Sequence, residues 1–516
     1  MDNAKSESKR VSYTNTKSNP RGKPRTKATK SKVTKSGVTK SGVTKPKTQV
    51  EAETDSFSDI SDDLLDIEQP IRDPSQGRDD YKTSIFIFHR ALRIDDNTGL
   101  ISALKSSKNV LPIFIFTPEQ ITNKNKFRSV PAIRFMIESL MDLDSHLRKL
   151  GSKLRIFYGE QHKVLDKILN SHKEDMEIES LYINMDYTPY AKQREEDLLS
   201  VCQAHNIDMY SPEDYLLQPV DSIRTQNGTY YSVYTPYYKN SVKRNVSKPI
   251  INRKRNFISG RKKVEHEVKI DTIPKKFGYN GKLSEIGLKD WPGTRAEGLK
   301  RVRDIKNHRQ YKDNRNDLTL QTTRLSAYIK FGLVSPREVY HKIKDLFSKN
   351  HNLIGQLIWR DFYFNLVNNA PHVLKGKSFR EKYDKIKWRT NKKLLEKWKT
   401  GTTGVPIVDA GMRELVESHY MHNRSRLITS NYLVKHYFID WREGEQFYAE
   451  NLVDYDPSVN NGNWQFSSGS GADAQPYFRM MNPLLQVSKF DPECEYVKTW
   501  IPELADVPPE DIIEGV

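Results

Sequence analysis

The sequence is poor in cysteine and has no long hydrophobic segment. Only two cysteines, Cys202 and Cys494, occur in 516 residues, which excludes a disulfide framework and a cysteine-rich metal site and is typical of a reducing compartment. No run of 18 apolar residues is present, so no transmembrane helix is predicted. The first residues lack the apolar core of a secretory signal. These absences together predict a soluble, intracellular protein.

The charge is strongly positive and unevenly distributed along the chain. There are 84 Lys and Arg against 66 Asp and Glu, a formal net charge of +18. Residues 1–50 contribute +12, residues 51–80 contribute −9, and residues 81–516 contribute +15. A basic surface of this size favours a polyanionic partner, most simply nucleic acid, although charge that serves only solubility gives the same total.

Residues 1–80 have the composition of a disordered tail, basic at first and then acidic. The basic half is rich in Lys, Ser, Thr and Gly, and a five-residue unit repeats through residues 31–45. Such an arm can contact DNA, act as a nuclear address or serve only as a solubilising tail, and the sequence leaves these three readings open.

Four short β-rich runs alternate with helical periodicity after residue 81. The runs are residues 84–88, 110–116, 154–158 and 180–184, and the helical pattern is clearest at 132–143. This alternation predicts βαβ units and a parallel sheet. Neither G-x-G-x-x-G nor a Walker A motif occurs in this part, so a dinucleotide or triphosphate site of those two kinds is not supported. A long connection rich in Tyr and basic residues follows, and from about residue 285 the pattern is helical.

Two segments of the helical half carry polar residues in patterns that suit a flat, charged ligand. The segment Thr322–Ser326 places three hydroxyl groups around an Arg ahead of a predicted helix, a donor set that suits a pyrophosphate but is also typical of a plain helix cap. One helix face carries Gln356, Trp359, Arg360 and Tyr363. An aromatic beside an Arg can cover a flat ligand, and the same spacing is equally typical of a core stripe.

Five ordered motifs resemble one family, the DNA photolyases and cryptochromes. They are Phe88–Asn97, Thr322–Ser326, Trp359–Tyr363, Met421–Arg426 and Asp454–Trp464, and the resemblance extends from about residue 84 to residue 504. It implies an α/β N-terminal domain with a Rossmann-like parallel sheet over 81–213. A long linker over 214–290 would join this domain to an all-α FAD-binding catalytic domain over 291–516. The subgroup that this sequence most resembles is class I cyclobutane pyrimidine dimer (CPD) photolyase.

The resemblance also implies roles for individual residues. Contact with FAD is implied for Tyr311, Thr322, Thr323, Arg324, Ser326, Arg360, Asn423, Arg426, Asp454, Asp456 and Asn460. Contact with a DNA lesion or its flanking phosphates is implied for Arg315, Gln356, Trp359, Tyr420, Arg424, Leu427, Phe466 and Arg479, and the residues nearest the chemistry would be Gln356, Trp359, Asn423 and Asn460. A metal site at the Asp454 and Asp456 pair is disfavoured, because no third carboxylate or His stands at ligand spacing.

Two further functions are implied for aromatic and polar residues outside that set. Trp388, Trp441 and Trp464 match the electron-transfer chain of the family, although large aromatic residues also fill cores. Family antennas are often contacted at the positions of Asn184, Asp186 and Tyr187. A folate, a deazaflavin, a second flavin or no antenna would all fit, so the identity of the antenna stays open.

The residues near the lesion bear on the reaction. Photolyases carry Asn opposite flavin N5 and plant cryptochromes typically carry Asp, so Asn460 favours a repair enzyme. Gln356 stands where CPD photolyases have Glu and where (6-4) photolyases usually have Gln. The two catalytic His of (6-4) photolyases correspond to Asn423 and Leu427, which leaves that reaction without an obvious acid.

The function predicted from the sequence is therefore light-driven repair of UV-damaged DNA by a monomeric protein. An electron from excited, reduced FAD would split the cyclobutane ring of a CPD. Three alternatives remain: a (6-4) photolyase, a blue-light sensor that binds a protein partner, and a DNA-binding protein without catalytic activity.

Overall fold

The computed structural model describes residues 80–286, 288, 290–474 and 479–514, so the predicted tail lies outside the described residues except for Asp80. Five parallel strands form one sheet in the order β3-β2-β1-β4-β5. The strands are β1 Tyr81–Phe88, β2 Ser107–Phe116, β3 Arg155–Tyr158, β4 Ile178–Tyr182 and β5 Asp208–Tyr210. The strand order reverses at β1, so the turns after β1 and β4 meet at the switch point where ligands of such sheets usually bind.

Helices cover both faces of the sheet, which is why its strands are apolar on both sides. The helices are α1 Thr98–Ser106, α2 Pro118–Ile121, α3 Val130–Lys149, α4 Gln161–Met176 and α5 Pro189–Ala204. Along β1, Phe86 and Phe88 pack in one core cluster together with residues of α3, while Ile85 and Ile87 pack in another with residues of α4. The predicted α/β domain with a parallel sheet is confirmed.

The connection after β5 runs along the β2–β3 side of the sheet and hydrogen-bonds to both strands. It contains the short helices α6 Tyr234–Ser241 and α7 Ile273–Lys276. The N–H of Ile258 donates to the carbonyl of Val110 at 2.9 Å, and the N–H of Val268 donates to the carbonyl of Ile156 in β3 at 2.8 Å. Covering an edge strand in this way removes a site for unwanted strand pairing.

The rest of the chain is helical, as predicted. Its helices are α8 Arg295–Asp304, α9 Tyr311–Asn314, α10 Ser326–Lys330, α11 Pro336–Leu346, α12 Asn352–Asn369, α13 Lys392–Lys399, α14 Pro406–Ser418, α15 Asn423–Asn431, α16 Trp441–Asn451, α17 Pro457–Ser468, α18 Pro483–Phe490, α19 Glu495–Trp500 and α20 Pro509–Glu514. Buried residues of α12 share a core cluster with α3, and a separate cluster centres on Trp398, Trp441 and Trp464. Within the described ranges, no helix is long and apolar enough to cross a membrane.

Candidate functional site

A charge pair joins α15 to the turn that precedes α17. The guanidinium of Arg426 lies 3.0 Å from the carboxylate of Asp454, whose side chain is 5% exposed. Arg426 also donates from Nε to the carbonyl of Met421 at 2.8 Å. Burial acts to lower the pKa of Arg426, but the Asp454 carboxylate outweighs it, so the pKa is raised and the guanidinium stays charged. The pair fixes a positive and a negative group side by side, as a polar ring ligand requires.

Asp456 caps α17 and connects it to the sheet. Its carboxylate accepts the backbone N–H groups of Ser458 at 3.0 Å and Val459 at 3.3 Å, which satisfies the open donors of the helix N-terminus. It also accepts from Arg90 in the turn after β1 at 2.7 Å, and Arg90 pairs with Asp186 at 3.1 Å. Burial acts to raise the pKa of Asp186, but the nearby cations, Arg90 first among them, outweigh it. The pKa is therefore lowered, and this carboxylate is ionised.

Asn460 lies one turn into α17 with one end of its amide engaged. Its Nδ2 donates to the backbone carbonyl of Glu445 in α16 at 3.1 Å. No hydrogen bond from the described residues reaches its Oδ1, so the amide presents an acceptor. The side chain of Glu445 accepts from Asn461 at 2.9 Å, and burial raises the pKa of this carboxyl to about 7. The α16–α17 contact thus orients the amide of Asn460.

The segment Thr322–Ser326 brings hydroxyl groups and a cation together before α10. Arg324 has a left-handed backbone, φ +47°, and its guanidinium lies over the rings of Trp291 at 5.3 Å and Tyr420 at 5.2 Å. The Tyr420 hydroxyl bonds the side chain of Thr322. Thr323 is half-buried and Ser326 is exposed at the first position of α10.

Tyr420 and Trp291 differ from what the sequence suggests. Tyr420 is predicted in the lesion wall, but it is 8% exposed and packs on Trp291, Arg324 and Arg426, within the cofactor segments. Its ring covers two guanidinium groups, which explains why it turns inward. Trp291 was not predicted as a site residue; its indole N–H is buried without a partner among the described residues. Trp291 lies in none of the five motifs, so no signal in the sequence marks it as a site residue.

The side chains predicted to share one face of α12 lie in two different surroundings. Trp359 stacks on Tyr234 of α6, with ring centroids 3.6 Å apart and planes 10° apart, and meets Tyr363 at 5.6 Å. Arg360 points away from them, bonds the carbonyl of Tyr215 and lies over Phe364 at 4.6 Å. Gln356 is half-buried one turn before Trp359. Consecutive helix positions lie about 100° apart, so Trp359 and Arg360 belong to different surroundings.

Cations gather at the end of α15 that faces α9. Arg424 donates to Asn316 at 2.6 Å and lies over the ring of Phe490 at 4.3 Å. Burial and, after it, repulsion from Arg315 lower the pKa of Arg424. Two guanidinium groups held close enough to repel each other suit an anionic partner.

The remaining predicted contacts differ in exposure. Asn423 and Arg479 are exposed, while Tyr311, Leu427 and Phe466 are half-buried. Burial raises the pKa of the Tyr311 hydroxyl, which therefore stays protonated at neutral pH. The structure brings Tyr311 close to Arg315 and Tyr420, whereas no contact among the described residues joins Arg479 to the other site residues.

The three predicted electron-transfer tryptophans differ in burial. Trp464 and Trp441 are 2% and 0% exposed, and Trp388 is half-buried against Phe438 at 5.2 Å. A Cβ on Gly444 would lie 2.1 Å from the Trp464 ring, so glycine is what admits the indole between α16 and α17. Of the three, Trp388 is the least buried, as the outer end of a path to the surface would be.

A cleft of about 480 Å³ opens at the switch point of the sheet, between the strand ends and the helical part. Its wall includes His89, Arg90, Asp186, Arg194 and Lys330.

Of the three predicted antenna contacts, only Asp186 is in this wall. Asn184 is fully engaged, because its amide accepts from Gly99 at 2.8 Å and donates to Asn97 at 2.9 Å. Tyr187 packs edge-on against Phe364.

The donor set fits a dinucleotide flavin. The phosphates would be held by the hydroxyl groups and guanidinium of Thr322–Ser326. The Arg426–Asp454 pair offers one donor and one acceptor to a pyrimidine-like ring edge, and Asn460 offers an acceptor to a ring N–H.

A parallel α/β sheet joined to a helical region with this donor set defines a two-part flavin-binding protein. Residues 84–251 match the family model described as DNA photolyase, and residues 353–516 match the FAD binding domain of DNA photolyase. The chain belongs to the DNA photolyase family, and its cofactor is FAD.

Curated relatives cover most of the chain. A deoxyribodipyrimidine photo-lyase of Alkalihalophilus pseudofirmus is 34% identical over 82% of this chain and 87% of its own. The protein of that name from Escherichia coli is 31% identical over 83% of this chain and 90% of its own.

Solved structures agree with the family. An archaeal photolyase from Sulfolobus tokodaii with two FAD molecules is 37% identical, with a TM-score of 0.73, over 84% of this chain and 93% of its own. A bacterial class III photolyase from Agrobacterium tumefaciens is 27% identical, with a TM-score of 0.76, over 84% of this chain and 89% of its own. A Synechocystis cryptochrome is 25% identical, with a TM-score of 0.74, over 83% and 91%.

Proposed function

We propose that this chain is a deoxyribodipyrimidine photo-lyase that splits CPDs in UV-damaged DNA under light. The observation that carries the proposal is the amide of Asn460, fixed through Glu445 so that it presents an acceptor and no acid. Two relatives of this chain, 31% and 34% identical to it, are named deoxyribodipyrimidine photo-lyases. Reduced FAD, when bound and excited by light, would lend the electron that opens the cyclobutane ring and would take it back once the ring has split.

The residues of the chain bind and orient the two reactants. Arg426 and Asp454 hold the edge of the flavin ring, and Thr322–Ser326 holds its phosphates. A damaged pyrimidine pair leaves the base stack and stacks on the wall of Trp359, where aromatic rings replace the lost base stacking. Arg315 and Arg424 bind the phosphates that flank it, which makes affinity depend on salt.

The lesion is a CPD rather than a (6-4) adduct, because neither of the two positions that carry the catalytic His in (6-4) photolyases holds an acid here. Asn423 and Leu427 stand where the catalytic His of (6-4) photolyases are implied. The adjacent imidazole of His422 accepts the backbone N–H of Arg424 at 3.2 Å, and burial lowers its pKa to about 4. A neutral His422 does not donate a proton at neutral pH.

An antenna chromophore would bind in the cleft at the switch point of the sheet. Two nitrogens of Arg194 are buried without a partner among the described residues, so the ligand carries an anionic group. Phe114, Ile133 and Met136 offer an apolar wall for a flat ring system. The Sulfolobus tokodaii photolyase holds two FAD molecules, which supports a flavin as the second chromophore. Arg194→Leu should halve the flavin released per chain on denaturation, and unchanged release would contradict this assignment.

The lesion assignment is tested with two substrates and one variant. Repair quantum yields are measured on duplexes with a single CPD or a single (6-4) adduct, for the wild type and Gln356→Glu. We expect repair of the CPD alone, with an equal or higher yield in the variant, because a carboxylate forms stronger hydrogen bonds to a pyrimidine than an amide. Repair of the (6-4) adduct by the wild type, with CPD repair lost in the variant, would contradict the proposal.

A further inference from the structure

Trp359 is covered on one face by a tyrosine that comes from the linker and not from the helical region. The rings of Tyr234 and Trp359 lie parallel, with 3.6 Å between centroids and 10° between planes. Phe362 meets both rings edge-on, at 5.8 Å from Tyr234 and 5.6 Å from Trp359. A neighbour stacked on one face leaves the opposite face of the indole for any flat ligand.

Tyr234 is itself held at two points. Its hydroxyl donates to the carbonyl of Gly355 at 2.7 Å, which ties α6 to the first turn of α12. Its backbone N–H bonds the carboxylate of Asp473, and the N–H of Asp473 donates to the carbonyl of Ser232 at 3.0 Å. The N-cap of α6, Val233, offers no side-chain acceptor, so Asp473 supplies it from the loop after α17.

We propose that Tyr234 is a positioning residue for lesion binding, which fixes the plane of Trp359, and that Asp473 in turn fixes Tyr234. This inference rests on the proposed function, since it requires a base to stack on Trp359. An indole that is already oriented loses less rotational freedom when a ligand binds, and that saving appears as affinity. The linker therefore forms part of the substrate site and does more than connect two regions.

The test compares substitutions that keep or remove the Tyr234 ring. Tyr234→Leu removes the ring, and Tyr234→Phe keeps it while removing the hydroxyl. Tyr238→Leu is the matched control, because Tyr238 lies on the same helix, 5.8 Å from Tyr234. The dissociation constant is measured in the dark for one duplex with and without a CPD. We expect Tyr234→Leu to weaken lesion binding about tenfold, with undamaged-DNA affinity and flavin content unchanged, while the other two variants stay within about twofold.

A coupling measurement separates positioning from a general loss of structure. In a Trp359→Ala background, Tyr234→Leu should have no further effect on lesion binding, because the ring that it orients is gone. Full additivity of the two effects, or an unchanged lesion preference in Tyr234→Leu, would overturn the inference.

Asp473→Gly tests the positioning role independently, in case Tyr234→Leu does not retain its flavin. Asp473 has a left-handed backbone, φ +48°, so Asp473→Gly removes the carboxylate without backbone strain. It should weaken lesion binding about threefold, and no change would overturn the inference. If the wild type binds damaged and undamaged DNA equally well, both the proposed function and the positioning role fail. If the wild type prefers the lesion and the variants keep that preference unchanged, the positioning role alone fails.

Discussion

The guanidinium of Arg90 lies 2.7 Å from the carboxylate of Asp456 and thereby joins the sheet to the helix that carries Asn460. Arg90 belongs to the turn after β1, and Asp456 is the N-cap of α17. The same guanidinium lies 3.1 Å from Asp186 in the wall of the cleft. One buried cation thus bridges the cleft and the proposed flavin site.

Arg90→Gln should lower the free energy of unfolding by about 3 kcal/mol, because it removes the ion-pair partner of two buried carboxylates. Arg148→Gln is the control: it removes an ion pair with Asp144 whose Arg is 62% exposed, and should change stability by less than about 1 kcal/mol. Urea unfolding of the flavin-loaded protein measures both. Equal losses in the two variants would contradict a special role for Arg90.

Asn460→Asp should make the reduced flavin harder to form. A carboxylate next to the flavin ring repels the negative charge that reduction adds, so the reduction potential falls, and the effect fades as low pH protonates the new Asp. Asn463→Asp, on an exposed position of the same helix, is the control. Spectroelectrochemical titration gives the potentials. A potential equal to that of the wild type would show that Asn460 does not face the flavin.

Trp464→Phe should abolish the light-driven reduction of oxidised flavin by a thiol reductant, while chemically pre-reduced enzyme still repairs DNA. Phe keeps the packing against Gly444 but is much harder to oxidise than an indole. Trp500→Phe, which changes a half-buried residue of α19, is the control. Its flavin should be photoreduced as in the wild type. The absorbance of the oxidised flavin under blue light follows the reaction. Normal photoreduction in Trp464→Phe would place the electron path elsewhere.

The sequence predicted the parts of the fold that depend on periodicity. Four apolar runs became β1 to β4, whereas β5 has only three residues, too few for a pattern to stand out. The site was predicted less completely, because side-chain direction depends on tertiary neighbours. Tyr420 turns toward two guanidinium groups, and the stacking partner of Trp359 comes from a Tyr-rich linker more than 120 residues away. No local motif encodes those contacts.

Glu414 gives the fold a pH dependence of known sign. Burial raises the pKa of this carboxyl from 4.5 to about 7, although Tyr496 donates to it at 2.6 Å. Between these values the folded protein holds a proton that the unfolded chain has lost, so the contribution of Glu414 to stability falls as the pH rises through this window.

The difference in unfolding free energy between Glu414→Gln and the wild type should therefore shift by about 2 kcal/mol in favour of the variant when the pH rises from 5 to 8. Glu417→Gln, on an exposed position of the same helix, should show no such change. Urea unfolding at the two pH values measures the difference. A gain that is the same at both pH values would contradict the raised pKa of Glu414.

Light-dependent loss of CPDs from DNA tests the central claim most directly. The wild-type protein, with its flavin reduced, is mixed with a duplex that carries one CPD, and intact pyrimidines are counted after exposure to near-UV light or after the same time in darkness. We predict many dimers repaired per protein under light and none in darkness. Lesion-bearing DNA that binds and stays unrepaired under light would contradict the account and favour a light sensor instead.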